Sequence, residues 1–67
     1  MEHIDLIPLG ASDGKPSGTL EVALAATGDL LLTALNLEEK PQADFYLMPT
    51  NAKRLADALL KGISKKI

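Results

Sequence analysis

The sequence predicts an α+β domain, in which a small antiparallel β-meander of three or four strands carries one C-terminal amphipathic helix packed on one face. Three observations support this fold class. Two apolar runs meet at Gly28-Asp29, which is typical of a β-hairpin. Shorter alternating segments lie before and after them, and an apolar repeat with helical spacing follows Pro49. With 67 residues, the chain forms a single small domain.

The first element is a short strand over residues 3–8, which alternates weakly and meets Pro8 at its end. Proline cannot donate to a neighbouring strand, so this strand suits an edge of the sheet. Residues 10–18 follow and contain three glycines and one proline, which predicts a flexible loop. The spacing of Gly10 and Gly14 is too short for a phosphate-binding loop, and Pro16 stands where such a loop needs Ser or Thr.

Residues 19–37 are predicted to form the central hairpin, with Gly28 and Asp29 as a two-residue turn. In that register Thr27 pairs with Leu30, and one face of the hairpin gathers the core residues Leu20, Val22, Leu24, Ala26, Leu31, Thr33, Leu35 and Leu37. The other face is apolar near the turn, and its small and aliphatic residues form a candidate oligomer interface. These residues are Ala23, Ala25, Leu30, Leu32 and Ala34. A helix over residues 20–37 is the alternative, because Ala and Leu favour helix.

A last strand is predicted over residues 44–48 and a helix over residues 51–62. Pro49 ends the strand, and Thr50 or Asn51 caps the helix by accepting hydrogen bonds from its first amides. Apolar residues recur at helical spacing from Ala52 onward. Gly62 is expected to weaken or end the helix and leave residues 64–67 as a tail.

The size and composition of the chain favour self-association. A core of this size barely offsets the entropy of ordering the chain, and the absence of cysteine excludes disulfides. A homo-oligomer, most simply a dimer, would supply the missing apolar contact. The acidic start of the sequence does not resemble a signal peptide, and no apolar run is long enough to span a bilayer. The expectation is therefore a cytoplasmic protein without membrane contact.

The residues that carry catalytic chemistry are sparse and scattered. His3 is the single histidine and has only Asp5 nearby, which is fewer ligands than a metal site needs. No serine has an identifiable base and orienting group. We therefore expect a protein that is not an enzyme and that uses neither metal nor cofactor.

Charge is distributed unevenly along the chain. Residues 1–49 hold two lysines against eight carboxylates, a formal charge of −6, whereas residues 50–67 hold five cations against Asp57, a formal charge of +4. The basic segment suggests a nucleic-acid contact. The acidic remainder and the absence of interleaved aromatic residues argue against one.

Three functional hypotheses follow. The first is a non-catalytic homo-oligomeric protein-interaction module, an accessory, adaptor or inhibitor protein that binds a larger protein. The second is an oligomer that sequesters a small anionic ligand between subunits, at the glycine-rich loop and the helix N-terminus. The third is a nucleic-acid-associated regulator that uses the basic helix. The candidate residues for ligand or partner contact are Asp13, Gly14, Lys15, Thr50, Asn51, Lys53 and Arg54.

Overall fold

The computed structural model of the chain describes residues 1–66 and consists of one antiparallel sheet followed by one helix. The strands are β1 (Glu2–Gly10), β2 (Pro16–Leu24), β3 (Leu30–Leu35) and β4 (Pro41–Leu47), and the helix is α1 (Pro49–Lys66). The strands lie in the order β1-β2-β3-β4, so each pairs with its neighbour in sequence. This arrangement confirms the predicted α+β meander with a single C-terminal helix.

The three connections between strands share one turn geometry. They span residues 11–15, 25–29 and 36–40, and in each the first amide donates to the fifth carbonyl over 2.9–3.0 Å. The fourth amide donates back to the first carbonyl, and the fourth residue has a positive φ: 82° at Gly14, 92° at Gly28 and 64° at Glu39. This is the three-residue hairpin loop, in which a type I turn is followed by a left-handed residue.

The predicted register of the central hairpin is wrong. Leu24 pairs with Leu30 and Val22 with Leu32, whereas a two-residue turn at Gly28 and Asp29 would pair Thr27 with Leu30. Gly28 is instead the last residue of a three-residue loop, because its positive φ is needed after the type I turn. The register differs by an odd number of residues, so the side chains of β3 lie on the opposite face from the one predicted.

Pairing across the strands defines an inner face, which the helix covers in part, and an outer face. The inner face carries large aliphatic residues on the two central strands and extends to both edge strands. Its residues include Ile7, Leu20, Val22, Leu30, Leu32, Ala34, Phe45 and Leu47. The predicted core grouping is correct for Leu20 and Val22. It is wrong for Leu31, Thr33 and Leu35, which lie on the outer face, and for Ala26 and Leu37, which lie in the second and third turns.

The strands are longer than the alternation of side chains predicted. The loop expected over residues 10–18 shortens to a turn over residues 11–15, because Pro16 begins β2. The last strand begins at Pro41 rather than at residue 44, beside Leu35. A bulge between Ala34 and Leu35 accommodates the irregular start of β4.

The helix begins earlier and ends later than predicted. The amide of Ala52 donates to the carbonyl of Met48 over 2.8 Å, which places Pro49 in the first helical position. Proline is favoured there because its φ is already helical and no amide is required. Thr50 and Asn51 therefore lie inside the first turn and are not the cap. The helix continues through Gly62 to Lys66, and the part of the predicted tail at Ile67 lies outside the described residues.

Burial within residues 1–66 is limited. Ala23 and Thr33, small residues of the central strands on the outer face, are the buried side chains, at 5% and 7% exposure. No large side chain in this part of the chain is completely buried, and α1 has no buried residue. The two layers therefore face each other without enclosing a tight core.

Candidate interaction surfaces

An apolar cleft, here called the inner cleft, separates the helix from the inner face of the sheet. Its volume is about 200 Å³. Five sheet residues and four helix residues line it, and all of them are aliphatic: Ile7, Leu20, Val22, Leu30, Leu32, Ala52, Leu55, Ala56 and Leu59. Native interiors are close-packed, so an open space between two apolar layers is a site that another apolar surface can fill.

The apolar stripe of the helix becomes more exposed toward its C-terminal end. Leu55 is 39% exposed, whereas Leu59, Leu60 and Ile63 are each more than half exposed. Leu60 and Ile63 continue the stripe but do not line the inner cleft. We call Leu59, Leu60 and Ile63 the distal stripe, and it faces solvent in the single chain.

The polar side of the helix is basic. Lys53, Arg54, Lys61 and Lys65 are exposed and fall away from the apolar stripe by helical spacing. Within residues 1–66, the ion pairs are His3 Nδ1–Glu21 Oε2 at 3.4 Å and Lys40 Nζ–Glu38 Oε2 at 3.6 Å, so no helix cation takes part in one. The charge asymmetry in the sequence is thus an asymmetry between the acidic sheet and the basic helix.

The outer face of the sheet is open and mixes apolar side chains with carboxylates. Two adjacent cross-strand rows form its centre, and they consist of His3, Ala23, Leu31 and Tyr46, then Leu6, Glu21, Thr33 and Asp44. The small residues Ala23 and Thr33 are buried at the centre of these rows. On either side of them the larger side chains of Leu6 and Tyr46 are 50% and 62% exposed. The His3–Glu21 ion pair bridges the two rows at the β1 side.

The predicted interface residues do not share one surface. Leu30, Leu32 and Ala34 lie on the inner face, Ala23 lies on the outer face, and Ala25 begins the second turn. The wrong register of the hairpin explains this. It placed Ala23 and Ala25 of the first strand on the same face as Leu30, Leu32 and Ala34 of the second strand, whereas in the observed register the side chains of β3 lie on the opposite face. An interface that includes these residues stays a prediction.

The residues predicted to contact a ligand or partner fall into two separate groups. Asp13, Gly14 and Lys15 lie in the first turn, where the Asp13 carboxylate accepts a 3.0 Å hydrogen bond from the Lys15 amide. Thr50, Asn51, Lys53 and Arg54 lie in the first turns of α1, beyond the other end of the sheet. The intervening strand length is about 25 Å. Within one chain the two groups cannot contact the same small ligand, and a site between subunits stays a prediction.

A second, shallower cleft of about 480 Å³ lies beside the second turn. Met1, Glu2, Leu24, Ala25, Ala26 and Gly28 line it. Glu2 is the one ionisable side chain among these lining residues. The cleft therefore offers little charge to orient a ligand.

Neither metal-ligating clusters nor membrane-spanning helices occur in the described part of the chain. Residues 1–66 contain no group of three or more His, Asp or Glu side chains arranged to hold a metal ion. Over the same residues, no helix has both the length and the hydropathy needed to cross a bilayer.

Comparison of the chain with protein-family models, with curated proteins and with solved structures gave no match. Evidence for function therefore comes from the outer face of the sheet and from the inner cleft with its distal stripe.

The outer face could not be found from the sequence, because it depends on which residues of the four strands lie side by side. A signal was present for the distal stripe, since Leu59, Leu60 and Ile63 belong to the helical apolar repeat.

Proposed function

We propose that the chain is a non-catalytic protein-interaction module that binds a larger protein through the outer face of its sheet. The observation that supports this proposal is the open centre of that face. Small residues lie between exposed Leu6 and exposed Tyr46, while the helix partly covers the opposite face. Protein interfaces are enriched in tyrosine and other aromatic anchors, and a polar rim surrounds them.

The charge of the outer face indicates what kind of partner it fits. Glu21 and Asp44 flank Thr33 in one cross-strand row, and both are carboxylates on an open surface. The nearby His3 pairs with Glu21 and leaves Asp44 without a cation among residues 1–66. A partner surface that carries a basic residue next to an apolar one would complement this row. An accessory, adaptor or inhibitor role is consistent with such a contact.

The shape of the outer face favours a protein over a small molecule. A typical small-ligand site is a concavity that encloses most of its ligand. Ala23 and Thr33 lie on one face of a sheet, and neither of the two clefts described above includes Leu6 or Tyr46. A flat surface that mixes apolar and charged side chains is typically bound by another folded protein or by an extended peptide segment.

Site-specific photo-cross-linking in cells tests this proposal. A photoreactive amino acid replaces Tyr46 on the outer face or, as a matched control, Leu37, which is 68% exposed in the third turn. We expect position 46 to give one dominant protein adduct and position 37 to give none of it. Adding Asp44→Lys to the position-46 variant should abolish the adduct, since the charge of the row is reversed. The same adduct at both positions, or none at position 46, would overturn the proposal.

A further inference from the structure

We infer that the inner cleft and the distal stripe are covered by a second copy of this chain, which makes the protein a symmetric homodimer. This inference concerns the face opposite the proposed partner-binding surface and does not depend on it. Surface area, the position of the exposed apolar residues, and charge each favour a second copy.

The exposed surface of the single chain is too large for a compact monomer. The chain exposes 5360 Å² at a mass of 7.1 kDa. Folded monomers of this mass expose about 4,100 Å², so the excess is about 1,300 Å². A standard stable interface buries about 800 Å² on each partner, and obligate dimers bury more. The excess is thus larger than a standard contact removes and lies within the range that one obligate dimer interface removes.

The exposed apolar residues are placed where a second copy can reach them. Exposure along the helix rises from Leu55 to the distal stripe, so the space between helix and sheet opens toward the C-terminal end of α1. On the inner face, Ile7 is 42% and Phe45 55% exposed. Each copy therefore offers an uncovered helix stripe and an uncovered apolar sheet surface. In a contact with two-fold symmetry, the helix stripe of each copy lies on the apolar sheet surface of the other, so both surfaces are covered in both copies.

Charge favours a second copy over a membrane as the occupant. Arg54, Lys61 and Lys65 lie opposite the stripe, so they stay in water when the stripe is covered by protein. Because the distal stripe is exposed beside the inner face of the sheet, inserting it into an anionic membrane would move the sheet toward the lipid. That movement would bring a sheet with a formal charge of −6 close to anionic lipid.

Sedimentation equilibrium of the untagged full chain tests the inference. We expect the wild-type protein to have twice the chain mass of 7.1 kDa. Leu60→Glu combined with Ile63→Glu should weaken dimerisation at least about 30-fold, the effect of losing one interface hot spot. Both residues lie outside the inner cleft, so the variant retains the contacts between helix and sheet within one chain. Ala58→Glu, which adds a carboxylate to the exposed basic side of the same helix, should leave the dimer intact.

Several outcomes would overturn the inference. One is a wild-type protein that is monomeric across the micromolar range, and another is equal association of both variants. A monomer that binds vesicles of anionic lipid through the distal stripe would assign the stripe to lipid instead. Should the double variant fail to fold, thermal unfolding of the wild type decides: the midpoint of a dimer rises with protein concentration. A midpoint that does not change with concentration contradicts the dimer.

Discussion

Gly18 lies against the backbone of Leu35, and a Cβ atom at position 18 would overlap the Leu35 carbonyl oxygen. Gly18 also has a φ of 144°, which side chains rarely tolerate. The contact lies near the start of β2, beside the bulge between Ala34 and Leu35 at the end of β3. The pairing of β2 with β3 at this end of the sheet thus depends on the absence of a side chain.

Gly18→Ala should destabilise the fold by about 2 kcal/mol or more, because backbone strain and the overlap with Leu35 add together. Gly62→Ala is the matched control. Position 62 is in the helix, has space for a methyl group, and should gain about 1 kcal/mol from helix propensity. Urea denaturation of the three proteins measures both changes. Equal stability of Gly18→Ala and wild type would contradict the close approach of the two strands.

The third turn differs from the other two in placing Glu39, rather than glycine, at the left-handed position. Glu39→Gly should stabilise the protein by about 0.5–1 kcal/mol, because glycine avoids the steric cost of a positive φ. Gly28→Ala, at the equivalent position of the second turn, should cost about 1 kcal/mol for the same reason. Thermal unfolding measured by circular dichroism would show shifts of opposite sign. Shifts of the same sign would mean that the turns do not share a geometry.

Asn36 offsets part of the strain in the third turn. Its side-chain oxygen accepts hydrogen bonds from the amides of Glu38 at 2.9 Å and Lys40 at 3.0 Å. Asn36→Ala should therefore cost about 1–2 kcal/mol, whereas Asn36→Asp retains an acceptor and should cost less. Chemical denaturation separates the two variants. Equal losses would show that the side-chain oxygen is not the stabilising group.

The fold class could be predicted from the sequence because alternation, turn residues and helical spacing each depend on short segments. The register could not be settled that way, since Gly28 fits both a two-residue and a three-residue loop. Residues 11–15 and residues 25–29 both begin with alanine and have glycine fourth, and this shared pattern favours the three-residue loop in both turns. The sequence predicts that Pro49 ends a strand, although proline equally suits the first turn of a helix.

The candidate surfaces depended on the register, and most of their residues were therefore missed. Tyr46 and Leu6 belong to different edge strands, and only the pairing of all four strands places them on the same face. Charge asymmetry, by contrast, was visible in composition. The asymmetry corresponds to a separation in space, because the basic helix and the acidic sheet form different layers.

The corrected register makes adjacent leucines of β3 distinguishable. Leu32 lines the inner cleft, whereas Leu31 lies on the outer face next to the row of Glu21 and Asp44. Leu32→Lys should destabilise the fold by about 2 kcal/mol or more, because it places a charge between apolar layers. Leu31→Lys should change stability by about 1 kcal/mol or less, since the new cation lies near two carboxylates. Guanidinium denaturation compares them. A larger loss at Leu31 would favour the alternative register.

The most direct test of the account is the accessibility of two helix positions in the assembled protein. The chain has no cysteine, so Leu60→Cys and Ala58→Cys each introduce a single thiol, one on the distal stripe and one on the exposed basic side. The rate of alkylation by a maleimide is measured at low and high protein concentration. A second copy over the stripe predicts that the thiol at position 60 becomes protected as concentration rises, while the thiol at position 58 reacts at an unchanged rate. Equal, concentration-independent reaction at both positions would show that no second copy covers the helix.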